Sequence, residues 1–130
     1  MTTTGRLMVC ALLGAAALTS GAVYAEITRT PLQKSEVPDA NYVAMTVLAE
    51  IPAGSSVGRH THPGAEMDYV VEGEGVLKID GQPDRPFKAG DSFLIETGKV
   101  HEAIIGGGKP AKIVATYVVE KGKPLTTPAP

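Results

Sequence analysis

The stretch Gly54-Ser55-Ser56-Val57-Gly58-Arg59-His60-Thr61-His62-Pro63-Gly64-Ala65-Glu66-Met67-Asp68-Tyr69-Val70-Val71-Glu72-Gly73 decides both the fold and most of the chemistry. In an extended strand, side chains two apart share a face, so His60 and His62 offer both imidazoles to one point. Pro63-Gly64 is a turn signal, and after it Glu66 returns a carboxylate to that point from a neighbouring strand. The same parity turns Asp68 and Val70 inward with Glu66 and sends Met67 and Tyr69 outward. Asp68 is therefore a candidate catalytic acid, able to hydrogen-bond a ligating imidazole or a bound water. The competing reading puts it at the rim, solvated. Arg59 has the opposite parity to His60 and is expected to face solvent.

Outward from this stretch the chain is a series of short β-rich runs separated by glycine and proline. Tyr42 to Ile51 reads as a strand ended by Pro52-Ala53-Gly54, and Met67 to Val71 as one closed by Glu72-Gly73-Glu74-Gly75. Val76 to Ile79 runs into Asp80-Gly81, a strong hairpin signal. Phe87 leads to the Ala89-Gly90-Asp91 turn and the strand Ser92 to Ile95. Val100 to Ile105 stops at Gly106-Gly107-Gly108, and Ala111 to Val119 is the last long run. Nothing after Ala25 sustains a 3.6-residue period, so the fold class is all-β, a sandwich or barrel. Residues 42–120 form the barrel. Residues 26–41 are expected to be an N-terminal extended arm. Residues 121–130 are expected to be a flexible tail, rich in Pro and Thr with little to bury.

The chain is 130 residues long, which is one domain. Its first 25 residues are expected to be a signal peptide. Arg6 precedes the apolar run Leu7 to Leu18, and Val23-Tyr24-Ala25 supplies the small residues of a cleavage site. The run is short for a membrane span, which takes roughly 20 residues, so cleavage after Ala25 is favoured over an uncleaved anchor. The product would be periplasmic or secreted, with no stable membrane insertion. It would also lack cysteine, since Cys10 is the single one, so no disulfide framework supports the domain. Without Arg6, 11 of the 12 basic residues remain against 14 acidic ones, a net charge of −3. With no basic stripe and no Trp, nucleic acid and anionic membrane surfaces are excluded as partners.

His101, at the start of a strand after the Thr97-Gly98 turn, is the third histidine of the sequence. Three neutral imidazoles and the Glu66 carboxylate make a donor set of intermediate hardness, suited to Mn, Fe, Co, Ni or Zn more than to Ca or Mg. The spacing resembles the cupin superfamily. Its first motif, G-x5-H-x-H-x3-4-E-x6-G, is met at Gly54, His60, His62, Glu66 and Gly73. Its second, G-x5-P-x-G-x2-H-x3-N, is met at Gly90, Gly98 and His101, with Glu96 in place of the Pro and Ile105 in place of the Asn. The resemblance implies a single double-stranded β-helix, jelly-roll-like barrel. It also implies one divalent transition metal (Fe, Mn, Ni, Cu or Zn) held by His60, His62, Glu66 and His101, and a homodimer. The loss of the Asn at Ile105 makes that wall more apolar.

Parity adds Val43, Met45 and Val47 on one strand to the inward set, with Phe93, Ile95, Ala103, Ile105 and Tyr117 on others. This wall carries no cation. A small apolar or enol- or catechol-like substrate fits it, which favours a metal-dependent dioxygenase. The alternative is a non-catalytic periplasmic module that captures a small ligand or a metal. Isomerase or lyase chemistry on a carboxylate or phosphate would require a cationic group beside the metal, and the inward set contains none.

Overall fold

Alternation of buried and more exposed residues runs through most of the long strands. The computed structural model describes residues 26–130, and the signal peptide expected over residues 1–25 lies outside the described residues. Ten strands follow in order: β1 (Thr28–Glu36), β2 (Tyr42–Ile51), β3 (His60–Thr61), β4 (Gly64–Glu72) and β5 (Glu74–Ile79) come first. Then come β6 (Arg85–Lys88), β7 (Ser92–Ile95), β8 (His101–Ile105), β9 (Ala111–Glu120) and β10 (Thr127–Pro128). Among the described residues there is no helix. In β9, Ala111, Ile113, Ala115, Tyr117 and Val119 are buried, and the residues between them are half-exposed. That period of two is what a sheet with one face on a core requires.

Two five-stranded antiparallel sheets result, one ordered β1-β2-β9-β4-β7 and the other β10-β3-β8-β5-β6. Their inner faces meet in a core joining Ile51, Val70, Phe93 and Ile113 of the first sheet to Leu77, Phe87 and Ile105 of the second. A second cluster of Val43, Val47, Ala115, Tyr117 and Val119 fills the other end, with Leu125 packed against it. The double-stranded barrel expected from the sequence is the fold observed.

Both ends of the described chain are more ordered than the sequence implies. The expected arm is strand β1, paired along β2 from Thr28↔Glu50 to Glu36↔Val43 around a bulge at Pro31/Gln33. All nine of its residues are exposed, so no burial pattern announced it. Residues 121–130, expected as a free tail, lie against the barrel. Thr127 and Pro128 pair with Thr61 and His60, and the Ala129 amide donates to the Arg59 carbonyl at 2.9 Å. Backbone pairing at the open edge of β3 docks this segment where apolar content alone could not.

Candidate metal centre

His60 sits on β3 directly opposite His101 at the start of β8, so the two rings share a face of the second sheet. Glu66 lies on β4 in the first sheet, paired with Tyr117 and Ile95. His62 is on the link between the sheets, just past the end of the two-residue β3. Its carbonyl accepts from the Gly98 amide at 3.1 Å, which ties the Thr97-Gly98 turn to it. The expected convergence is therefore reached, although His62 belongs to a crossover and not to the strand that carries His60. All four residues are buried, with exposures of 4–7%.

The three ring Nδ1 atoms are each bound to a backbone carbonyl: His60 to Gly58 at 2.8 Å, His101 to Lys99 at 2.9 Å and His62 to Leu125 at 2.6 Å. A carbonyl can only accept, so each Nδ1 carries a proton and each ring turns its Nε2 toward the others. Ligand atoms of the three histidines lie within 4.8 Å of one another. His60 Nε2 stands 3.2 Å from His62 Nε2, and Glu66 Oε2 stands 3.0 Å from His62 Nε2 and 3.1 Å from His101 Nε2. Glu66 Oε2 is buried with no hydrogen-bond partner. Adjacent donors of a six-coordinate ion with bonds of about 2.1 Å stand about 3 Å apart. Four converging lone-pair atoms repel unless a positive charge stands among them. The residues fit a transition-metal ion.

Burial holds the His60 imidazole down at about 4, with the Gly58 carbonyl only partly offsetting it, so this ring is a neutral donor at pH 7. Burial pushes the Glu66 carboxyl up. The His101 and His62 rings beside it pull it the other way, to below the ordinary carboxylate range. A metal would supply positive charge to all four donors at once.

Asp68 is buried, as parity predicts, and lines the cavity beside the cluster. Burial, and then the charge of Glu66, pushes its carboxyl up to about 9, and its Oδ1 has no partner. Tyr117 meets the His62 ring edge-on at 4.9 Å, and its phenol is pushed well above the ordinary range by burial and then by Glu66. Arg59 faces solvent as expected, paired through both terminal nitrogens with Asp80 at 2.8 and 2.9 Å.

Next to the histidines is a cavity of about 40 Å³, walled by apolar side chains such as Ile51, Leu77, Phe93 and Ile113. A volume of that order holds a few waters or a ligand of a few heavy atoms. Arg29 of β1 also lines it. Arg29 pairs with Ala49, an inward residue of β2, and is itself exposed, so it reaches the cavity from its solvent side. This corrects the expectation of a wall without a cation. No motif marks Arg29, because the register of β1 on β2 is set by backbone pairing and not by a sequence pattern.

Residues 47–120 match the family model described as Cupin domain (Cupin_2). The chain belongs to the cupin family. It is 37% identical over 80 residues to an oxalate-binding protein of Thermotoga maritima, covering 61% of this chain; it spans 65% of that relative's length. Among solved structures it is similar to a Klebsiella pneumoniae protein with a double-stranded β-helix domain. That match has a TM-score of 0.63 at 22% identity, covering 78% of this chain and 85% of the other. A Cupin 2 conserved barrel domain protein of Salinispora arenicola aligns with a TM-score of 0.57 at 24% identity, covering 70% and 74%.

Proposed function

We propose that the protein is an exported metallo-cupin that binds a small carboxylate, of the chemical class of oxalate, at a divalent transition metal held by His60, His62, Glu66 and His101. The observation that carries this reading is Arg29, an exposed residue of β1 that lines the same small cavity as His60, Glu66 and His101. The metal, Fe, Mn, Ni, Cu or Zn, would supply a Lewis acid to which a ligand oxygen can bind. Arg29 offers a planar fork that matches a carboxylate and neutralises its charge. Asp68 and Tyr117, both uncharged at neutral pH, offer O–H groups without adding negative charge beside an anionic ligand. The name of the Thermotoga relative supports the ligand class. Residues 1–25 support export to the periplasm or beyond. The exposed outer face formed by Met67, Tyr69, Val71 and Leu94 supports a homodimer.

A second reading is a dioxygenase-type enzyme acting on an enol- or catechol-like substrate. Asp68, buried in the cavity with an unpartnered oxygen, favours it as the catalytic group moving the substrate proton. The two readings part in one experiment. Untagged protein is analysed for metal by mass spectrometry, then titrated calorimetrically with oxalate, with acetate and with a catechol, and oxygen uptake is followed. Oxalate binding that needs the metal and drops at least tenfold in Arg29→Ala supports the carboxylate reading. Oxygen uptake with the catechol, abolished in Asp68→Asn, would replace it with the enzymatic one.

A further inference from the structure

Two of the three histidines are oriented by the residues just ahead of their own strands. His60 and His101 each donate Nδ1–H to a carbonyl two residues earlier, at Gly58 and Lys99. His62 is different, because its carbonyl partner belongs to Leu125, far along the chain. Leu125 is fixed on both sides of that bond. Its side chain packs on the cluster of Val43, Val47, Tyr117 and Val119, and the residues after it pair with β3. Arg59 completes the attachment: its carbonyl takes the Ala129 amide, its Nε donates to the Pro130 carbonyl at 2.6 Å, and its terminal nitrogens are braced by Asp80.

We infer that the segment from Leu125 to Pro130 is a positioning element of the metal centre. Its Leu125 carbonyl selects the Nδ1–H form of His62 and aims Nε2 at the other three donors. Orienting partners of this kind are typically worth about 10- to 100-fold in metal affinity. Linkage then runs both ways: a metal that needs this orientation tightens the segment by the same factor that the segment tightens the metal. The inference rests on the metal centre proposed above.

The test compares the full chain with a chain ending at Pro124 and with Leu125→Gly, which keeps the backbone but removes the anchor. Zinc affinity is measured by chelator competition, and the histidine tautomers of the metal-free proteins by nitrogen NMR. In the full chain His62 should show the Nδ1–H form. Both variants should lose it while His60 and His101 keep theirs, and zinc affinity should fall roughly 10- to 100-fold in the shortened chain. Zinc should also slow hydrogen exchange of the Ala129 amide in the full chain. Unchanged affinity in a folded shortened chain overturns the inference, as does a His62 protonated at Nε2 in the full chain. If the shortened chain does not fold, Leu125→Gly and the wild-type tautomer still decide. Failure of the metal reading looks different, with no zinc bound by any of the three proteins.

Discussion

At His60, His62 and His101 one device recurs: a carbonyl takes the Nδ1 proton and frees Nε2 to ligate. Removing one ring removes one of the four converging donors. His60→Ala should therefore abolish stoichiometric metal, measured by mass spectrometry on the purified protein. Asp68 behaves in the opposite way. It is a buried acid with an unpartnered oxygen close to another carboxylate, so it costs the metal-free protein stability. Asp68→Asn should leave metal content intact and raise the stability of the metal-free form by about 1 kcal/mol or more in urea denaturation. A loss of metal in that variant would show Asp68 to be a ligand. Strand parity puts Glu66 and Asp68 on one face in the sequence as in the structure, whereas His60, His62 and His101 were singled out together by the motifs of the cupin resemblance. Arg29 and the Leu125 carbonyl were not. Each reaches the site through pairing or docking between segments distant in sequence, which parity within one strand cannot report.

Strands β4 and β9 approach so closely at Gly64 that a Cβ there would stand 2.0 Å from the Val118 carbonyl oxygen. Backbone would have to move, and β4 carries Glu66 one turn of the pleat further on. Gly64→Ala should thus cost about 2 kcal/mol or more in stability, and metal affinity should fall with it. Gly73 adds a conformational demand: its φ is +88°, and a Cβ would meet Ala111 Cα at 2.7 Å. The motif marks Gly73 as required, whereas Gly64 is seen from sequence only as half of a turn. Elements with a buried face were readable for the same reason. β2 and β7 match their expected bounds because each alternates between Pro or Gly breaks. β1 and β10 are exposed along their length, so nothing in their composition encodes a facing core, and only the free edges of β2 and β3 define them.

Across the whole molecule the candidate metal centre would tie the two sheets together. His60 and His101 come from one sheet, Glu66 from the other, and His62 from the link between them. The described residues contain no cysteine, so no covalent bond performs this role. A ligand that binds the folded state alone stabilises it by RT ln(1 + [L]/Kd), about 2.7 kcal/mol at a hundredfold excess over Kd. For a domain of this size that corresponds to a rise in Tm on the order of 10 °C. Adding zinc or nickel to metal-free protein should give such a rise by differential scanning calorimetry, and a chelator should reverse it. His101→Ala should show neither response, because only three donors remain and the bond between the two sheets through β8 is gone. A metal that binds with full stoichiometry yet leaves Tm unchanged would have equal affinity for the folded and unfolded chains. Such a metal could not be seated among the four converging donors, since the unfolded chain does not hold them together.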